Sequence, residues 1–303
     1  MDIPVSALRA ASAAMAVTPA PLANVAARGI AAGIAGLSPD DRKIVSRNLQ
    51  RAGVRFSGPL GEARAVQSAF DSYARYWVDV LRLPHLSKRA VDHGITLDGY
   101  GIVEDALASG TAPILALPHL GGWEWAGHWL STVMGHKVAA VVEELEPREL
   151  YDWFVDLREG LGLNIIPLSE GSSAVAAAIA DGQIMCLLCD RDISGGGIEV
   201  EFFGERTTLP GGPALMALRS GAPLLPAAVY FRGNGCHGVV QEPLDTERRG
   251  KLREDLTRVT QDLAQAMEGL IRAAPNQWHL LQPNWPSDYE ALGRPVPGAD
   301  RGR

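Results

Sequence analysis

An α/β fold is expected, with a mainly parallel central sheet flanked by helices and an amino-terminal helical cap. Three observations predict it. From residue 100 onward, short apolar runs alternate with segments of helical length and pattern. The first ninety residues read as helices only. The chain has 303 residues, enough to bury one large core.

In chain order, Ser38-Pro-Asp-Asp is a helix start, with Ser38 as cap and acids in the first turn. Lys43, Arg47, Arg51 and Arg55 follow at steps of four and form one basic stripe, which reads first as a solvated face and second as a contact for anionic lipid headgroups. A second helix over 62–83 sets Val66, Phe70, Tyr73, Trp77 and Leu81 on a core-facing side. Then come a helix near 102–109, a strand at 112–118 and a helix starting near 123. Strands at 137–143, 163–168 and 183–189 alternate with helices at 147–160 and 171–181. A Gly195–Gly197 loop precedes a period-two strand at 198–203. A helix at 213–220, a strand at 223–231 and a charged helix at 246–273 complete the pattern. We read one domain over 1–303, with a membrane-facing helical cap at 1–90, a catalytic core at 100–285 and a disordered tail at 291–303.

Hydrophobic residues make up 47% and charged residues 21% of the chain, ordinary values for a globular protein. A net charge of −7 argues against nucleic acid as a partner. The charge is uneven: residues 1–60 hold seven bases against three acids, which is +4, so the remainder carries −11. That excess suggests a face for an anionic membrane surface, with Ile30, Ile34 and Leu37 as apolar alternatives. Residues 10–27 are uncharged but are interrupted by Pro19, Pro21 and polar residues. They make neither a convincing span nor a signal peptide, and peripheral binding at the cytoplasmic face is expected. Cys186 and Cys189, three apart on a strand, point to opposite faces and read as core thiols in a reducing compartment.

Residues 118–124 read Pro-His-Leu-Gly-Gly-Trp-Glu. His119 sits at a strand-to-helix turn, where α/β sheets expose reactive groups at the carboxyl ends of their strands. The glycine pair is expected to fold it back toward Glu124, making a general base with an acidic neighbour. Asp190-Arg-Asp192 ends another strand and should open on the same edge. Either Glu124 or Asp190 can orient the imidazole and raise its basicity. Backbone N–H groups of Gly121 and Gly122 are candidate oxyanion donors. The 202–213 run, Phe-Phe-Gly-Glu-Arg-Thr-Thr-Leu-Pro-Gly-Gly-Pro, offers hydroxyls and glycines before a helix and suggests an anion cradle. Arg158 serves either as a helix cap or as a ligand contact. There is no Gly-x-Ser-x-Gly elbow and no phosphate-binding loop motif. Gly233-Asn-Gly-Cys-His-Gly238 leads into a strand-like run and reads as a hairpin. Glu124 and His128 with His119 lack a zincin pattern, and no metal site is expected.

Together these blocks resemble the acyltransferases that modify bacterial lipids, such as those adding the lauroyl or myristoyl group of lipid A. The resemblance is closer to phosphatidylinositol mannoside acyltransferases. It is carried by Ser72-Tyr-Ala-Arg-Tyr-Trp77, Ala116-Leu-Pro-His119, Leu157-Arg-Glu-Gly-Leu-Gly162, the 202–213 run and Trp278-His-Leu-Leu-Gln-Pro-Asn-Trp285. It implies an α/β enzyme that moves a fatty acyl group from acyl-CoA to a mannose hydroxyl of a glycolipid, with acyl-CoA as donor substrate and no bound cofactor. It makes His119 the base and a carboxylate at Asp190 its partner, with Glu124 where the family has Asp or Glu. Glu143 and Arg158 line the implied cleft, and Arg191, Gly196 and Arg219 are counted with the substrate-binding positions. A lipid or thioester hydrolase using the same pair is the alternative; a non-catalytic lipid carrier is a third class.

Overall fold

A computed structural model describes residues 5–144, 146–192 and 195–296. Four helices come first: α1 (Val5–Val17), α2 (Ala20–Leu37), α3 (Pro39–Arg51) and α4 (Gly58–Arg82). Then follow α5 (Lys88–His93), β1 (Ile95–Asp98), α6 (Tyr100–Ala108), β2 (Ile114–Leu117), α7 (Trp123–His128) and β3 (Val138–Val142). Next are α8 (Arg148–Gly160), β4 (Leu163–Pro167), α9 (Gly171–Ala180) and β5 (Ile184–Leu188). The remainder comprises β6 (Ile198–Phe202), β7 (Glu205–Leu209), α10 (Gly212–Ser220), β8 (Leu224–Arg232), β9 (Gly235–Val240), α11 (Leu252–Ala273) and α12 (Pro286–Ala291).

Among the described residues the sheet has seven strands in the order β1-β9-β8-β2-β5-β3-β4, and within it only the β8–β9 pair is antiparallel. The alternating pattern after residue 100 is thus a mainly parallel sheet, as its helix-length crossovers require. Strand β2 shows why both faces are covered. Ile114 and Ala116 pack in one buried cluster with α10, α11 and the carboxyl-terminal tryptophans, while Leu115 and Leu117 pack in another with α7 and β4. Cys186 and Cys189 divide in the same way, one in each cluster, and all three cysteines are free.

Three strands depart from the sequence expectation. β1 is four residues long and alternates the inward Ile95 and Leu97 with the exposed Thr96 and Asp98, in a stretch to which the sequence reading assigns no element. β9 follows the expected hairpin turn but pairs in parallel with β1, which extends the sheet by two strands. β7 (Glu205–Leu209) occupies part of the run read as an anion cradle before a helix. It pairs with β6 across Phe203 and Gly204, both at positive φ, as a two-residue hairpin turn demands.

The basic stripe on α3 requires a second correction. Instead of facing a membrane, it receives α12. Arg47 Nε lies 2.6 Å and Arg51 Nη2 2.8 Å from Oδ1 of the fully buried Asp288. Lys43 donates to the Ala291 carbonyl, and Arg51 stacks over the Trp285 ring at 3.9 Å. Arg55 lies beyond the end of α3 and is exposed, so the helical stripe stops at Arg51. Repetition at steps of four aligns charges on a helix face, but it does not distinguish a solvated face from one that docks buried acids.

The start of the expected disordered tail is also ordered. Arg294 N–H bonds the Tyr289 carbonyl at 2.8 Å, and its guanidinium pairs with Asp40 at 2.5 Å. Residues 297–303 lie outside the described residues, as do the side chains of Ile30, Ile34 and Leu37. No helix among the described residues is long and apolar enough to cross a membrane.

Candidate active site

Register brings the central pair together. Strands β2 and β5 are parallel neighbours, with Leu117 opposite Leu188. His119 and Asp190 each lie two residues beyond those positions, so both emerge at the same place on the carboxyl edge of the sheet. His119 Nδ1 is 2.6 Å from Asp190 Oδ1. Nδ1–H therefore donates to the carboxylate, and Nε2 is left as the basic atom. The imidazole retains 18% exposure, whereas the Asp190 side chain has none.

The carboxylate is held on its other side as well. Trp278 Nε1 donates to Asp190 Oδ2 at 2.7 Å, and the Asn284 side-chain amide donates to the Asp190 backbone carbonyl at 3.0 Å. Burial alone would raise the acid's pKa. The adjacent imidazole, the Trp278 donor and the His119 backbone N–H outweigh burial and hold Asp190 below the ordinary carboxylate range. Trp278 reaches it because residues 278–279 run beside the His119 turn, where His279 N–H bonds the His119 carbonyl at 2.7 Å.

Glu124 stands apart from this pair. Its Oε1 accepts from Arg158 Nη2 at 2.6 Å, Arg158 Nε at 3.0 Å and the Tyr76 hydroxyl at 3.3 Å. The expectation that the glycines fold His119 toward Glu124 is therefore corrected, because the guanidinium at the end of α8 captures that carboxylate. Burial would lower the Arg158 pKa, yet Glu124 reverses this and raises it. The Tyr76 phenol is pushed far up, first by burial and then by the neighbouring Glu124 charge.

Rings enclose the imidazole. Trp123 meets His119 edge-on at 5.6 Å and stacks on Tyr76 at 4.2 Å. His279 lies 5.8 Å from both Tyr76 and Trp123, with Nε2 2.9 Å from Ser72 Oγ. Burial, then the nearby His119, lowers His279 to about 3, so it stays neutral. Glu143, one residue past β3, pairs with Arg191 at 3.4 Å on the same edge, and Arg191 also bonds Gln282.

Residues 4–287 match the family described as bacterial lipid A biosynthesis acyltransferase. The chain belongs to that family. It is 38% identical over 233 residues to the phosphatidylinositol mannoside acyltransferase of Mycobacterium tuberculosis, covering 75% of this chain and 72% of that protein. A protein of the same name from Mycolicibacterium smegmatis is 38% identical over 232 residues, covering 74% and 73% respectively.

Within this lipid A-type acyltransferase, several expected contacts fall elsewhere. Gly121 N–H donates to the Gln277 carbonyl at 3.0 Å and Gly122 N–H to that of Val229 at 2.9 Å, so neither is available to an oxyanion. Gly121 has φ +61°, and a Cβ there would strike the Val229 carbonyl. The glycines thus serve the close approach of the turn to β8. The hydroxyls of the 202–213 run bond within the protein: Thr207 donates to the Asn284 carbonyl and Thr208 to Asp192 at 2.8 Å. Gly196 lies between Gly195 and Gly197, whose N–H groups bond the Asp192 carboxylate at 3.0 and 2.8 Å. Arg219 is exposed at the end of α10, just before β8 starts beside Ile114. That is the opposite edge of the sheet from His119, so Arg219 does not join the site. His128 Nδ1 bonds the Leu161 carbonyl at 2.9 Å, consistent with a buried structural role.

Sequence reasoning assigned no role to Tyr76, Trp278 or His279, although two quoted blocks contain them. A half-polar aromatic on a helix face looks like core until the fold shows what its polar atom meets.

Proposed function

We propose that this acyltransferase moves a fatty acyl group from acyl-CoA to a mannose hydroxyl of a phosphatidylinositol mannoside, with His119 as general base. Two named relatives support the acceptor, and the His119–Asp190 hydrogen bond carries the mechanism. In this reading Nε2 takes the proton from the sugar hydroxyl as its oxygen bonds to the thioester carbonyl carbon. The tetrahedral adduct then collapses, the C–S bond breaks, and the imidazolium returns its proton to the CoA sulfur. Asp190 stabilises the transient imidazolium and fixes the tautomer, as in other His–carboxylate pairs. A positioned base supplies a factor of ~10²–10⁴.

An acceptor embedded in lipid requires access to a bilayer. With the α3 stripe occupied by α12, the supporting features are exposed apolar residues: Val17 (85% exposed), Leu22 (64%), Val25 (66%) and Leu60 (74%). They give the helical cap an apolar surface suited to peripheral, cytoplasmic-face binding.

The test is incubation with long-chain acyl-CoA and a panel of mannosylated and non-mannosylated phosphatidylinositols, read by product mass. One added acyl group on mannosylated acceptor supports the reading. Free fatty acid released at the same rate without acceptor identifies a hydrolase instead.

A further inference from the structure

A cavity of about 460 Å³ lies next to the catalytic cluster and is used by none of the chemistry above. Three arginines line it: Arg75 and Arg82 from α4, and Arg232 from the end of β8. Asp79 is the one acid among the described residues of its lining. Trp125, Ile95 and Cys236 supply an apolar floor. Its proximity to the site follows from shared walls. Cys236 Sγ lies within 2.6 Å of where a Cβ on Gly122 would sit, and Arg75 stacks at 4.2 Å on Phe231, whose ring is 6.2 Å from that of His279.

The charges there are incompletely satisfied by the protein. Arg75 is fixed in place, donating to the Gly235 carbonyl at 2.8 Å and lying 3.6 Å from Asp79. Arg82 Nε and Asp79 Oδ2 are fully buried atoms without a hydrogen-bond partner among the described residues. Burial, opposed by Arg75 and Arg82, raises the Asp79 carboxyl to about 6, which weakens its ability to neutralise the arginines. A buried guanidinium N–H without an acceptor is costly, and a phosphate oxygen is its strongest natural partner.

We propose that this cavity is a subsite for a phosphate ester, held by Arg82 and Arg232 with Arg75 completing the positive field. The apolar floor then takes the organic group next to the phosphate. Linking that ester to a substrate rests on the proposed acyl transfer, in which both substrates carry phosphate: the donor at its 3′-phosphate and diphosphate, the acceptor at its phosphodiester.

Calorimetric titration of the full chain with CoA, dephospho-CoA and glycerophosphoinositol tests the proposal and separates the sources. The variants are Arg82→Gln and Arg232→Gln, the second at an exposed rim position that leaves the core untouched, with Arg219→Gln on the far edge as control. Loss of one charge-assisted contact is expected to weaken binding about tenfold or more. Weakening of CoA alone assigns the 3′-phosphate; weakening of CoA and dephospho-CoA together assigns the diphosphate. Weakening of glycerophosphoinositol assigns the acceptor. Asp79→Asn should tighten whichever probe binds. Failure of all three probes to bind the wild type overturns the proposal. So do unchanged affinities in both arginine variants, or an equal loss in Arg219→Gln. Arginine-dependent binding in a protein that transfers no acyl group would retire the proposed function and leave the phosphate subsite standing.

Discussion

Trp278 Nε1 donates to Asp190 Oδ2 at 2.7 Å, so the carboxylate that grips His119 is itself gripped from the other side. One oxygen fixes the imidazole while the second is tied to a segment about ninety residues further along the chain. This divides the two candidate carboxylates into separate roles.

Asp190→Asn should therefore reduce turnover by ~10²–10⁴-fold with little change in donor affinity, since the amide can hold the wrong tautomer and cannot stabilise an imidazolium. Steady-state rates against donor and acceptor concentration check this.

Trp278→Phe retains an aromatic ring beside Phe202 and Trp285 but removes the donor to Asp190. Turnover should fall about tenfold, the scale of one hydrogen bond to a charged group. Adding Trp278→Phe to Asp190→Asn should cost much less than it does alone, because the residues act as one unit. A purely structural Trp278 would give additive losses.

Glu124→Gln should act mainly through the fold. It leaves the Arg158 guanidinium, 17% exposed, without its carboxylate. Breaking such a buried pair costs about 3–5 kcal/mol, while replacing both partners by apolar residues costs less. Urea unfolding of Glu124→Gln and of Glu124→Leu/Arg158→Met compares the two.

The extent to which sequence revealed this site follows from register. His119 and Asp190 were visible because each ends an apolar run, and parallel strands gather their carboxyl ends on one edge. Glu124 was misplaced because sequence proximity to His119 outweighed a partner, Arg158, that only the packing of α8 supplies. The α3 stripe failed for a related reason. Its periodicity was legible, but its cover, α12, lies more than two hundred residues away and is only six residues long. The β8–β9 hairpin is legible in its turn, but its parallel partner β1 is not, because four residues of alternation are too few to set a strand apart from chance.

His279 gives a signature in acid. Folding keeps it neutral down to about 3, whereas in the unfolded chain it takes up a proton near its ordinary value of about 6.5. Its linked stability is thus complete above pH ~6.5 and lost as the pH falls toward 3. His279→Gln should flatten the unfolding midpoint against pH across that window, measured between pH 7 and pH 4.

The α3 stripe and the apolar cap should also separate. Gln at Lys43, Arg47, Arg51 and Arg55 should lower the melting temperature, because the buried Asp288 loses its partners, and leave vesicle binding nearly unchanged. Leu22→Ser with Val25→Ser should weaken vesicle binding at every salt concentration, since apolar contact is not screened. Co-sedimentation with anionic vesicles at low and high salt measures both.

Replacement of His119 tests the chemistry most directly. His119→Ala removes a partly exposed side chain at a turn, but it also takes a donor from the buried Asp190, so the variant should fold with a lowered melting temperature. Product mass after incubation with acyl-CoA and a mannosylated phosphatidylinositol should show acylation reduced by at least ~10²-fold. A folded His119→Ala protein that acylates at close to the wild-type rate would contradict His119 as the base.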